Sequence, residues 1–162
     1  MGVSGCGKST VGRNVADRIG VQFAEGDSFH SKINVEKMSS GRPLNDEDRA
    51  PWLAELAFTI SKWVEFGKGG VLSCSALKRK YRDCLRGDYG LDAPIHFFLS
   101  GSLELIEGRI KQRRDHYMQS DLLFSQFADL EEPETEEHAI TINILSPPNV
   151  LAKEILIHLG EG

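Results

Sequence analysis

The chain has 162 residues, 40% of them hydrophobic and 27% charged, with a formal net charge of −5, the balance of one soluble globular domain. That charge excludes general nucleic-acid binding, and no apolar run approaches the roughly 18 residues that span a bilayer. No secretory signal is legible, and three widely spaced cysteines (Cys6, Cys74, Cys84) make neither a disulfide framework nor a metal knuckle, so a reducing cytoplasm is the expected setting.

Residues 2–9 read Gly-Val-Ser-Gly-Cys-Gly-Lys-Ser, a full G-x-x-x-x-G-K-S phosphate loop. Its glycines let backbone N–H groups turn inward around phosphate oxygens, and the helix that follows directs its positive end at the same anion. Gly2, Val3, Ser4, Gly5, Cys6, Gly7, Lys8, Ser9 and Thr10 are the expected nucleotide contacts. Lys8 reaches the β- and γ-phosphates and the Ser9 hydroxyl takes Mg²⁺. Cys6 fills a variable position of the loop as a small side chain; a helix N-terminus lowers a thiol pKa, which leaves a redox role as the rival reading.

Along the chain, Val11, Val15 and Ile19 recur at helical spacing and Gly20 ends that helix. A strand is expected at 21–24, a weakly amphipathic helix at 31–40, a loop at 41–45, and a long helix from Asp46 to about Phe66 with Leu53, Leu56, Ala57, Ile60 and Val64 as its apolar stripe. Gly69-Gly70 breaks the chain before a strand at 71–74. A basic helix with Leu77, Tyr81 and Leu85 on one face follows, then a strand at 95–99 and a helix carrying Leu103, Ile106 and Ile110. Residues 111–119 are polar and cationic, 120–130 form another short helix, 131–137 an acidic turn-rich loop, and 140–145 the last strand. Ser146 is the expected N-cap of a terminal helix with Pro147 at its first position. Alternation of this kind makes an α/β fold with a parallel sheet. Only four strands are legible, and the buried strand that normally precedes a phosphate loop is missing, since Met1 alone stands before Gly2.

Residues at the carboxyl ends of parallel strands face the ligand crevice. Glu25 and Asp27, two apart in an extended segment, are expected to point the same way, one toward the Mg²⁺ shell and the other toward an acceptor hydroxyl. The protein-kinase set of G-x-G-x-x-G, lysine and H-R-D is absent, so a small-molecule acceptor is favoured.

Two segments narrow this further: Lys37-Met-Ser-Ser-Gly-Arg-Pro-Leu-Asn-Asp-Glu-Asp-Arg49-Ala-Pro-Trp-Leu53 and Cys74-Ser-Ala-Leu-Lys-Arg-Lys-Tyr-Arg82 closely resemble gluconokinases, the ATP:D-gluconate 6-phosphotransferases. So do Leu99-Ser-Gly, the Arg109, Arg113 and His116 spacing, and Ser125-Gln-Phe leading to Pro133, nearly the whole chain in order. The resemblance implies a single three-layer P-loop kinase domain over residues 1–162, with a family sheet order of 2-3-1-4-5. It also implies a substrate-binding helical region at about 30–66, a lid at about 111–130, and a homodimer. ATP and Mg²⁺ are the implied cofactors and gluconate the acceptor, with no nucleic-acid or membrane partner.

Residue by residue, the resemblance implies that Asp27 orients the acceptor hydroxyl or serves as its base. Arg49 holds the acceptor carboxylate, as an arginine fork suits a planar carboxylate. Ser75, Lys78 and Arg82 line the acceptor pocket, with Lys78 and Arg82 at i and i+4 on one helix face; the rival reading of that face is a solvated one carrying pairs such as Arg79–Asp83. His30 meets a sugar hydroxyl or is structural, Glu25 joins the metal shell through water, and Trp52 and Trp63 are core. Arg109 and Arg113 share a face at the lid: one approaches the nucleotide and one neutralises the transferred group. Sequence does not divide these jobs, and the reading carries Arg109 with the nucleotide and Arg113 with catalysis. Related kinases carry an apolar strand before the matching Met-Gly-Val-Ser-Gly, so the central strand is expected to be absent from this chain. Rival readings are a kinase for another sugar acid or for shikimate, and a nucleotide-binding module without turnover.

Overall fold

Gly7 and Gly20, both with left-handed backbone, bound the first helix, α1 (Lys8–Ile19), which buries Val11 and Val15. The computed structural model describes residues 1–112 and 120–161. After α1 come β1 (Gln22–Glu25), a 3₁₀ turn (Gly26–Phe29), α2 (Lys32–Ser39), α3 (Asp46–Glu65), β2 (Gly70–Ser73) and α4 (Arg79–Arg86). The chain continues through β3 (Phe97–Ser100), α5 (Leu103–Gln112), α6 (Ser120–Asp129), β4 (Ile140–Asn143) and α7 (Pro148–His158). The expected elements are present with ends shifted by one or two residues. The terminal helix is one such case: Pro147, not Ser146, is its N-cap, and Pro148 holds the first position.

The four strands form two parallel pairs. In one, β1 lies beside β2 with Gln22 opposite Gly70; in the other, β3 lies beside β4 with Phe97 opposite Ile140. These pairs correspond to 2-3 and 4-5 of the expected order, and among the described residues no strand lies between β2 and β3. The first two residues bridge the divide at the carboxyl end. The Met1 amine donates to the Phe97 carbonyl at 2.6 Å, Leu99 N–H donates to the Met1 carbonyl at 3.0 Å, and Gly2 N–H donates to the Ser75 carbonyl at 3.1 Å. Below that bridge runs a cavity of about 620 Å³, lined by Val15, Ile60, Val71, Leu72, Phe97 and Leu99 among others. Burial pushes the Met1 amine down to about 6.

Two apolar clusters flank the sheets. The first joins Val11 and Val15 of α1 to Leu99, Ile142, Leu151 and Ile155; the second joins Trp52, Leu53, Leu56 and Ile60 of α3 to Tyr81 and Leu85 of α4. The α3 stripe is thus the one its periodicity predicts. The start of α3 is fixed by a capping box: Asn45 Oδ1 accepts from Asp48 N–H at 2.8 Å, and Asp48 Oδ2 accepts from Asn45 N–H at 2.9 Å. Lys37 of α2 adds a 2.5 Å ion pair to Asp48 and so ties α2 to the same turn. The next residue along α3 is Arg49.

Candidate active site

At the nucleotide end, Gly2, Gly5 and Gly7 all take positive φ, which turns the loop backbone inward. The Lys8 ammonium donates to the Val3 carbonyl at 3.0 Å and closes the loop on itself. Cys6 is fully buried against the core, the small-filler reading. Helix α5 packs directly over the loop, since a Cβ on Gly5 would lie 2.7 Å from Ile110. Arg109, one residue earlier, donates through Nη2 to the Ile144 carbonyl at 2.5 Å, just past β4. Arg113 lies outside the described residues, as do residues 114–119 of the expected lid.

On the acceptor side, β1 ends at Glu25, and Gly26 lies so close to β2 that a Cβ there would meet the Ser73 carbonyl at 2.4 Å. Asp27 therefore falls in the 3₁₀ turn, not in extended chain. The alternation argument for Glu25 and Asp27 fails here, because period two holds only while the backbone is extended. Trp52 of α3 secures the turn by donating Nε1–H to the Gly26 carbonyl at 2.8 Å, and its ring stacks on His30 at 4.5 Å. His30 Nδ1 is buried without a partner among the described residues. Burial lowers the His30 pKa, with Asp27 raising it and Arg49 lowering it. The buried Cys74 thiol, pushed up to about 12 chiefly by burial, feels both Lys8 and Asp27.

Arg49 Nη1 donates to Tyr81 Oη at 3.0 Å and to Asp129 Oδ2 at 3.1 Å. Burial works against its charge, but these bonds prevail and the pKa is raised. Lys78 lies 3.3 Å from Asp46 Oδ1 and 3.4 Å from Asp129 Oδ1, and its pKa is also raised despite desolvation. Asp46 further takes the Lys80 ammonium at 2.5 Å and the Tyr81 hydroxyl proton. These bonds, to Lys80 first, hold its carboxyl well below the ordinary range.

Arg82 requires a correction. Helix α4 begins at Arg79 with Lys78 as an extended N-cap, so Lys78 and Arg82 do not share a helix face. Lys78 turns toward α3 and α6, while Arg82 is buried and grips both oxygens of Glu137. Its Nη1 also donates to the carbonyls of Ala76, Leu77 and Glu131. With its donors engaged, Arg82 is not an acceptor contact; it holds the turn after β2, where Ala76 has φ 44°. Ser75 enters that turn through its backbone, accepting from Gly2 N–H at 3.1 Å. Arg79 pairs with Glu134 at 2.6 Å, not with Asp83.

Four participants escaped sequence reasoning: Asp46, Tyr81, Asp129 and Gln126, whose Oε1 accepts from Ser4 N–H of the phosphate loop at 2.7 Å. Asp129 and Gln126 lie three apart on α6, so one helix face touches both halves of the site. That spacing within Ser125–Pro133 was the available signal.

The fold and the phosphate loop define a small-molecule kinase of the P-loop class, and the family model described as shikimate kinase matches residues 4–156. The chain is 46% identical to the gluconokinase of Gluconobacter oxydans (strain 621H), over 98% of its own length and 88% of that protein. A gluconokinase structure from Sinorhizobium meliloti 1021 superposes with a TM-score of 0.86 at 41% identity, covering 99% of this chain and 89% of that one. An unliganded sugar kinase from Janibacter sp. HTCC2649 gives 0.90 at 42%, covering 100% and 92%. The chain belongs to the gluconokinase family within this class.

Proposed function

We propose that the protein transfers the γ-phosphoryl group of ATP to the 6-hydroxyl of D-gluconate. One observation carries this reading beyond the family: Arg49 and Lys78, two cations suited to a carboxylate, converge on Asp129, and Arg49 lies three residues before Trp52, the ring that stacks on His30. The triphosphate lies on residues 2–9, with Lys8 released from Val3 to reach its β- and γ-oxygens. Asp27 orients the 6-hydroxyl and takes its proton as the O6–P bond forms and the bond to the ADP leaving oxygen breaks. His30, neutral at physiological pH through burial, offers Nδ1 to a sugar hydroxyl. Arg109 approaches the nucleotide from α5, and Arg113 is assigned to the transferred group.

The oxygen donors at hand fit Mg²⁺: the half-buried Ser9 hydroxyl at the start of α1 and, through water, Glu25 at the end of β1. When bound, the ion neutralises the phosphate oxygens. Among the described residues no helix is long and apolar enough to cross a membrane. A cytoplasmic homodimer completes the proposal.

A coupled ADP-release assay over gluconate, other sugar acids, shikimate and nucleoside monophosphates tests the reading. Gluconate is expected to give the highest kcat/KM. Better turnover of shikimate or a nucleotide would reject it, and tight ATP binding with no transfer to any acceptor would make the chain a binding module.

A further inference from the structure

Arg49 is held by one corner of its guanidinium. Nη1 carries both protein bonds, to the Tyr81 hydroxyl and the Asp129 carboxylate, while Nε and Nη2 have no protein partner among the described residues. A guanidinium fixed through Nη1 keeps its Nε–Nη2 edge for an incoming planar anion, and that edge forms the parallel two-bond fork with a carboxylate. The other oxygen of Asp129 faces Lys78. One carboxylate therefore sets the separation of the two cations and blocks the corner of Arg49 that the acceptor does not use.

Asp129 also sets the charge of the pocket. Within the ion-paired cluster three cations (Arg49, Lys78, Lys80) meet two carboxylates (Asp46, Asp129), so the loss of the Asp129 charge would raise the cluster's net positive charge from one to two. Asp129 lies at the last residue of α6, and its side chain is about a third exposed. It is thus a partner that α6 brings to the pocket, not part of the buried core.

We propose that Asp129 is a positioning and specificity-determining residue: it presents the free edge of Arg49 to the acceptor carboxylate and restricts the pocket to singly charged acids. This rests on the gluconate reading above.

The test compares wild type with Asp129→Ala and Asp129→Asn, using gluconate, the neutral polyol sorbitol with an equivalent terminal hydroxyl, and the dianion glucarate as inhibitor. Wild-type preference for gluconate over sorbitol reports on the functional reading by itself; its absence sinks both. Given that preference, Asp129→Ala is expected to raise the gluconate KM at least tenfold with the ATP KM within twofold, shrinking the gluconate-to-sorbitol ratio of kcat/KM accordingly. Asp129→Asn keeps an oxygen for Arg49 but removes the charge; it should recover part of the gluconate KM and tighten glucarate inhibition several-fold. A gluconate KM that is unchanged or falls in a folded Asp129→Ala protein overturns the positioning role, because Asp129 would then be a bystander or a competitor for Arg49. Unchanged glucarate inhibition in Asp129→Asn overturns the charge role, and that arm stands even where the alanine variant does not fold.

Discussion

Arg82 and Glu137 form a two-pronged ion pair, Nε to Oε2 at 2.5 Å and Nη2 to Oε1 at 2.8 Å, with both residues buried. Removing one partner leaves an uncompensated buried charge, at a cost of about 3–5 kcal/mol. Arg82→Ala is therefore expected to lower the melting temperature by on the order of 10 °C. Arg49→Ala, at the half-buried acceptor pocket, should shift it far less. Thermal unfolding followed by circular dichroism checks this, and equal melting temperatures for the two variants would contradict the assignment of Arg82 to the frame.

Arg49→Ala should act on the acceptor. Loss of a charged hydrogen bond costs about 1.5–3 kcal/mol, so the gluconate kcat/KM should fall by roughly 10- to 100-fold. The ATP KM should stay within about twofold. Arg49→Lys should not rescue it, since an ammonium lacks the fork. Steady-state kinetics with each substrate varied separately give the answer.

Lys8→Ala removes the cation that meets the phosphates, and kcat should drop by about 10²–10³-fold or more. Gluconate binding, followed by calorimetry without nucleotide, should survive. Loss of gluconate binding along with turnover would mean that Lys8 supports the fold.

Acid should destabilise the fold in two stages. Burial holds His96 down at about 4, against an ordinary 6.5. Stability from its neutral form is present above 6.5 and is lost as pH falls toward 4. Glu137 is held at about 2, chiefly by Arg82, so its contribution is present above its ordinary 4.5 and is lost as pH falls toward 2. Denaturant midpoints measured from pH 7 to pH 3 should decline throughout, and His96→Gln should flatten only the upper part of that decline.

The gap between β2 and β3 is lined by apolar side chains and lies where a strand would complete both ladders. Adding about 8–10 β-prone apolar residues ahead of Met1, the length of a short strand and its lead-in, should raise the melting temperature. An equal melting temperature would show that the two half-sheets gain nothing from the added ladder.

Much of this was legible because local chemistry decided it. The apolar period of α3, the glycines around α1 and the Asn45–Asp48 box all act within a few residues. Asp27 was placed correctly at a strand end, but its backbone was misjudged, because the close approach of Gly26 to the Ser73 carbonyl is a tertiary fact. Arg82 was misassigned for the same kind of reason: its partner stands 55 positions away, and helical spacing from Lys78 says nothing about where α4 begins. The spacing of Gln126 and Asp129 put them on one helix face but did not name their partners, which lie on α3, the β2–α4 turn and the phosphate loop.

The bridge made by Met1 and Gly2 couples the phosphate loop to folding itself. Two half-sheets meet through backbone bonds at the very residues that lead into the nucleotide loop. A ligand that orders this loop in the folded state adds RT ln(1 + [L]/Kd) to the unfolding free energy. Nucleotide binding is therefore expected to raise the unfolding free energy in step with nucleotide concentration.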